Sequence, residues 1–311
     1  MMYEYALQRV KGIKKSFDNA MANAIDTYQD NRIVDLYPTT EVFEIFTSSE
    51  GMSGAKNLSN GETPPVLDLN DGYSVMIEEK RWGGAIELLE NEYRREANDV
   101  STKVKTALIR KRNKLLVANK SLFLSEMFKF LNYAFATTFY AAPDGAALCG
   151  THTWNTPGAP TFANNATAAL SMTAVDTLEE YAGAFVDPAG NPMPLDFDTI
   201  VVKKGSANFR LAKQLFAEGI SPTKIADINI YEGEKTIIAT PYITTANKNY
   251  WFAIASNDPN GNPLKIGIGE YPTLREPIKQ NNEAIRSNCT GFWKQGIVNM
   301  PYAFYGSNGT T

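Results

Sequence analysis

The sequence predicts an α+β fold, and three observations carry that prediction. Two strand-like segments bracket a long hydrophilic excursion at residues 47–72. A stretch from 92 to about 131 holds neither proline nor glycine and keeps a helical apolar period. From 196 to 268, short apolar strands alternate with helix as in a compact mixed lobe.

Residues 2–30 read as a helix. Tyr3, Ala6, Val10, Ile13, Phe17, Ala20 and Ala24 recur at steps of three and four, and Lys11, Lys14, Lys15 and Asp18 take the other face. Such a stripe suits a helix docked on its own domain or on a neighbouring molecule, and periodicity does not choose between them. The segment 35–40, with Pro38, ends this arm.

Strand character follows. Val42, Phe43, Ile45 and Phe46 open one run, and Tyr73, Val75 and Ile77 alternate with Ser74, Met76 and Glu78 in another. The span between them is rich in Ser, Gly, Asn and Pro, including Gly51, Gly54, Gly61, Pro64 and Pro65. Loops of this length are uncommon in compact domains and are usually functional or disordered. A two-stranded ribbon is marginal by itself in water, so this one needs something to lie on. Gly83-Gly84 reads as a break before a short strand at 85–89.

In the helical stretch, Val100, Val104, Ala107, Leu108, Leu115, Leu122 and Phe123 form the apolar set, while Lys103, Lys105, Arg110, Lys111, Arg112 and Lys114 are its polar face. Unbroken, it would reach roughly 60 Å at about 1.5 Å per residue, with a kink expected near 119–121. Helices are expected at 173–185 and 206–216, and strands at 199–202, 228–231, 237–239 and 250–255. The tail 284–305, with Phe292, Trp293, Ile297, Val298, Tyr302 and Phe304, should rejoin the earlier scaffold. The division is then 1–40 arm, 41–90 ribbon and following strand, 91–195 long helix and first domain, 196–268 second lobe, and 269–311 return.

Composition narrows the function. The 311 residues are 43% hydrophobic, with no run near the roughly 20 apolar residues of a membrane span. Met1-Met2-Tyr3-Glu4-Tyr5 lacks the pattern of a signal peptide, so the chain is expected to stay in the cytoplasm where it is made. A net charge of −4 argues against a specific DNA reader, which must neutralise several phosphates. A single histidine, His152, removes most zinc sites. Two cysteines, Cys149 and Cys289, exclude a disulfide framework but leave open whether they pair.

Catalytic constellations are weak. Gly267-Ile268-Gly269 lacks the third glycine of a dinucleotide fingerprint. Cys149 and His152 have metal-like spacing without a second ligand pair, and His152 is expected in a turn. The carboxylate pairs Asp196/Asp198, Glu78/Glu79 and Glu87/Glu90 suit solvated faces better than acid–base work. No catalytic residue, cofactor or metal is expected.

The order of parts resembles the Hong Kong 97-type capsid fold of tailed bacteriophages, whose parts are called N-arm, E-loop, spine helix, axial domain and peripheral domain. Short segments are similar to the Mu-like major head subunit branch. These are Asp144-Gly145 with Leu148 ahead of His152, Leu170 to Ala174 followed by the Asp187–Pro192 turn, Phe197 to Val202, and Gly291 to Val298. Cys149 stands where an aromatic is usual, and Thr153-Trp154 where proline is. The resemblance covers nearly the whole chain from Val42 onward.

The resemblance implies a structural protein that self-assembles, as hexamers and pentamers, into the icosahedral head shell enclosing phage DNA. It implies a virion location after assembly in the bacterial host cytoplasm. The implied partners are a separate scaffolding protein, a portal and non-specific contact with packaged DNA, without membrane. An encapsulin-like nanocompartment is the alternative. Residues 41–80 would lie across an adjacent subunit, with Val10, Ile13 and Phe17 as a further assembly contact. The roughly forty residues before the first strand are too few for a cleaved scaffolding segment. Lys56 is the candidate for a covalent link to Asn281, Asn282 or Asn299 of a neighbour, although a solvated lysine is the favoured reading.

Overall fold

The computed structural model describes residues 11, 14, 16–21, 32–52, 58, 63, 69–90, 102–216, 231–256 and 261–310. The strands β1 (Asp35–Pro38), β2 (Phe43–Met52), β3 (Leu69–Glu78) and β4 (Lys80–Leu88) precede the long helix α1 (Thr102–Met127) and its short sequel α2 (Lys129–Asn132). Then come β5 (Thr151–His152), β6 (Phe162–Ala163), β7 (Asn165–Ala166), helix α3 (Met172–Ala184), β8 (Thr199–Lys203), helix α4 (Ala207–Phe216) and β9 (Thr236–Thr240). The chain continues through β10 (Trp251–Ile254), β11 (Leu264–Leu274), β12 (Ile278–Lys279), β13 (Ile285–Ile297) and β14 (Phe304–Ser307). The α+β class expected from the sequence is the one observed.

The first sheet is organised around β13. On one side β13 pairs antiparallel with β11 and β12, on the other with β4, and β1 adds parallel to β11. β13 is buried on both faces for much of its length, although its sequence includes Ser287, Asn288, Thr290, Lys294 and Gln295. Helix α1 lies across this sheet. Trp293 of β13 stacks on Trp82 of β4 at 4.8 Å, and Phe123 of α1 meets Trp293 edge-on at 5.2 Å. Gly83-Gly84 is therefore no break: both glycines sit inside β4. A Cβ at Gly83 would fall 2.1 Å from the Cys289 carbonyl oxygen, so only glycine lets the two strands close there.

α1 runs straight through the expected kink at 119–121. The Asn119 amide donates to the Leu115 carbonyl at 2.9 Å and stays within the helical surface. The interruption comes at Phe128, and the 26 residues of α1 span about 39 Å. The expected stretch at 92–101 lies outside the described residues.

The second sheet has the order β7-β14-β10-β8-β9. β8 and β9 are parallel and connected through α4, while β10 is antiparallel to β8 and β14. Successive side chains of its central strands face opposite ways. Val201, Phe252, Ile254 and Phe304 enter the core shared with α1 and the first sheet, whereas Ile200, Val202, Trp251, Ala253 and Tyr305 enter a second core with α3 and α4. The sheet is a wall between two cores. β13 rejoins the first sheet as expected, but Phe304 does not: residues 304–307 close the second sheet instead. The strand expected at 228–231 falls almost wholly outside the described residues.

Residues 16–21 are helical, and Phe17 and Met21 are fully buried in the first core. Arg112 donates to Ser16 Oγ, and the Leu274 amide donates to Asp18 at 3.0 Å. This part of the arm closes its own domain.

Candidate assembly surface

Among the described residues β2 and β3 pair only with each other, from Phe43↔Glu78 to Met52↔Leu69, with two shifts of register along the way. Strand alternation gives the ribbon two faces. Glu44, Phe46, Tyr73, Val75 and Ile77 turn toward the chain's own body and are wholly or partly buried. Phe43, Ile45 and Met76 turn outward and are 60%, 65% and 65% exposed, with Val42 beside them at 58%. Ile45 stands directly opposite Met76, so these side chains adjoin as a patch. A contiguous apolar patch of this kind marks an interaction surface.

Polar groups fix the ribbon to the body at its base. Glu44 accepts from Tyr37 Oη at 2.5 Å and from Thr39, and pairs with Lys294 Nζ at 3.0 Å. Lys294 is fully buried in the middle of β13 and also donates to the Glu41 carbonyl at 2.6 Å. A lysine in a sheet interior requires such partners. Burial alone would raise the Glu44 carboxyl, but hydrogen bonds from Thr39, Tyr37 and Lys294, with the Lys294 charge, hold it below the usual carboxylate range. Further out, Glu50 is buried and accepts from the backbone N–H groups of Asn155 and Thr156, each at 2.8 Å.

The segment 142–164 is ordered by buried polar contacts. Asp144 receives His152 Nδ1 at 3.0 Å and the amides of Ala146 and Thr153. Burial opposes its ionisation, yet the His152 bond and charge and these two amides keep its carboxyl below the usual range. His152 lies in strand β5 rather than a turn, fully buried and stacked on Phe162 at 5.1 Å. Its partner, Asp144, makes it a brace for the loop. Cys149 and Cys289 are both free and buried; burial pushes the Cys149 thiol well up and the Cys289 thiol to about 12, which leaves little nucleophilic thiolate.

Of the four assembly candidates, Phe17 is among the described residues. Val10, Ile13 and Lys56 lie outside the described residues. Phe17 is a correction: its ring is fully buried in its own chain's core, so it offers no surface to a neighbour. Asn281 and Asn282 are exposed on the turn before β13. Of the carboxylate pairs, Asp198 binds Ser256, and Glu78 and Glu87 are exposed. Among the described residues no group of three or more His, Cys, Asp or Glu side chains could hold a metal ion, and no helix is long and apolar enough to cross a membrane. A small cleft of about 250 Å³, lined by Phe162, Tyr181 and Phe185 among others, carries no acid–base pair.

Three important side chains escape sequence reasoning: Glu50, Lys294 and Asn164. The buried Asn164 amide reaches the carbonyls of Leu148, Pro301 and Phe304 at 2.7–2.9 Å, while its oxygen accepts from Gly150. Only Lys294 left a trace, as a lone charge inside the apolar run around Trp293 and Ile297.

No family model matches this sequence, and no curated protein matches it either. Solved structures do. The chain is similar to a chain in the capsid of Myoviridae phage XM1, with 14% identity, 90% of each chain covered and a TM-score of 0.51. It is also similar to a chain of Mycobacterium phage Patience, at 14% identity, 95% of this chain and 87% of that one, and a TM-score of 0.52. The capsid of an empty GTA particle gives 11% identity, 90% of each chain and a TM-score of 0.50. The shared property at these identities is the fold.

Proposed function

We propose that this chain is the major capsid subunit of a tailed bacteriophage, a structural protein of the Hong Kong 97 type that builds the head shell. One observation carries the reading: a ribbon held to its body by one face presents Phe43, Ile45 and Met76 on the other. Water is a poor partner for that face, and a second copy of the chain is a good one, because repetition closes such contacts by symmetry. The fold shared with chains of the XM1 and GTA capsids supports this reading.

In finer terms, the ribbon of residues 41–80 lies across an adjacent subunit within hexamers and pentamers. Residues 91–195 and 269–311 form the peripheral scaffold and 196–268 the axial lobe, whose sheet takes in β7 and β14 from the flanking segments. Residues 1–40 form the arm, where Val10 and Ile13 remain candidate contacts and Phe17 does not. Lys56 remains the candidate for a covalent link. The subunit belongs to the Mu-like branch, assembles in the host cytoplasm with a separate scaffolding protein and a portal, and touches packaged DNA without sequence preference. Its net charge of −4 suits a wall along which duplex slides.

The test is size-exclusion chromatography of the expressed protein followed by electron microscopy of the largest species. Closed icosahedral shells are expected. A monomer at all concentrations, with or without a candidate scaffolding protein, would overturn the reading, and shells filled with an enzyme cargo would redirect it to a nanocompartment.

A further inference from the structure

We infer that Glu50 is a positioning residue that sets the angle at which the ribbon leaves its subunit, and through that angle the curvature of the shell. The inference rests on the shell reading above and adds to it a residue with a defined task.

The geometry is specific to this carboxylate. Glu50 belongs to the ribbon, yet it is 1% exposed and both its oxygens are engaged by a loop 105 residues later in the chain. Oε1 accepts from the Asn155 N–H at 2.8 Å, and Oε2 accepts from the Thr156 N–H at 2.8 Å and from the Thr156 hydroxyl at 3.0 Å. The loop answers in kind: the Asn155 side-chain amide donates to the Asp71 carbonyl of the opposite ribbon strand at 3.2 Å. Both strands of the ribbon are thereby clamped to residues 155–156. Charge-assisted bonds to backbone amides are among the strongest a surface segment makes.

Two further features show room being made for the clamp. The ladder between β2 and β3 shifts register between Thr47 and Ser49, and again between Glu50 and Met52, so irregularities flank Glu50 on both sides. Bulges bend a ribbon and re-aim a side chain. Opposite, Gly72 leaves space: a Cβ there would lie 2.3 Å from Ser48 Oγ and 2.9 Å from Glu50 Cγ. The ribbon is thus bent where it is clamped.

The clamp also has leverage. The base network at Glu44 fixes where the ribbon begins, and two fixed points along a strand define a direction, whereas one defines only a pivot. Within the outward patch, Ile45 and its partner Met76 lie between the Glu44 and Glu50 anchors and Phe43 just before Glu44, so the orientation of Ile45 and Met76 follows the clamp. Curvature in a closed shell is the sum of identical small angles, and an error at each contact multiplies across the assembly.

The test compares wild type with Glu50→Gln, Glu50→Ala and Thr156→Val as full-length chains. In the unassembled subunit, hydrogen exchange at the Asn155 and Thr156 amides is expected to accelerate at least tenfold in Glu50→Ala and less in Glu50→Gln, which keeps one acceptor oxygen. Thermal midpoints should stay within a few degrees of wild type, which a role confined to fold stability would not allow. In assembly reactions, wild type is expected to give one particle diameter. Glu50→Ala should give a spread of diameters, open sheets or tubes, with uniform shells reduced at least fivefold. Unchanged amide exchange would remove the clamp, and uniform shells at normal yield from Glu50→Ala would remove its control of curvature. Should Glu50→Ala fail to fold, Glu50→Gln and Thr156→Val carry the same two readouts. If wild type forms no shell, the proposed function fails and this inference with it, whereas a loss confined to the variants indicts Glu50 alone.

Discussion

The arm helix and the ribbon are both peripheral segments with an apolar stripe, and they dispose of it in opposite ways. Phe17 and Met21 of the arm are sealed into the core beneath α1 and the first sheet, with Asp18, Lys11 and Lys14 tying the surrounding surface to Leu274 and Glu276. Phe43, Ile45 and Met76 of the ribbon stand in solvent while the opposite face is held by Glu44 and Glu50. A periodic apolar pattern reports that a face will be covered. It does not report by whom. Topology decides: the arm has a groove of its own chain within reach, and the ribbon has spent its near face on that chain already.

The comparison breaks most sharply at Phe17. Phe17→Asp places a carboxylate in a sealed apolar site and is expected to destabilise the isolated subunit by about 3–5 kcal/mol or to prevent folding, read by thermal or urea unfolding. Phe43→Asp or Ile45→Asp, by contrast, should leave the subunit's unfolding midpoint nearly unchanged while abolishing shells, read by sedimentation. If the two regions exchanged outcomes, the assignment of faces would be inverted.

Next in size is Lys294. Lys294→Ala leaves Glu44 without its cation and opens a hole in β13, with an expected loss of about 3 kcal/mol by urea unfolding. The Glu44 carboxyl offers a gentler probe of the same anchor. Its ionisation is favoured in the folded chain, so its contribution is present above the ordinary carboxylate value and fades as pH falls through the lower folded value. The difference in thermal midpoint between wild type and Glu44→Gln should therefore be constant near neutrality and shrink below about pH 4. A difference that instead grew on acidification would contradict the anchor. The smallest effect belongs to Lys14→Ala. Its pair with Glu276 is 3.5 Å long and well exposed, and its loss should change stability by less than about 0.5 kcal/mol.

What the sequence revealed follows the same division. Helical patterning placed α1, α3 and α4 nearly where they lie, and short apolar runs between turns placed β8 and β10, which are buried on both faces. Gly83-Gly84 misled, since close approach between β4 and β13 demands glycine as strongly as a turn does. Phe17 was legible as apolar but not as internal, because the core it enters is built from residues far along the chain, Leu124 and Leu274 among them. Phe304 shares the apolar run that was expected to return to the first sheet, and nothing local says that it crosses to the second. Glu50 and Asn164 carried no signal at all: an acidic residue in a polar loop and an asparagine among asparagines look solvated until distant backbone amides and carbonyls converge on them.

The strand order has a consequence for the timing of synthesis. β13 lies at the centre of the first sheet and β14 lies between β7 and β10 in the second, yet both follow every other described strand in chain order. Until they emerge from the ribosome, β4 has no partner strand, β11 lacks its main neighbour, and the wall between the two cores stands open at β10. A nascent chain then has no finished body on which to seat its ribbon. Sheets that wait for distant strands also form slowly. Translation order thereby withholds a seat for the ribbon until residues 285–307 have been made.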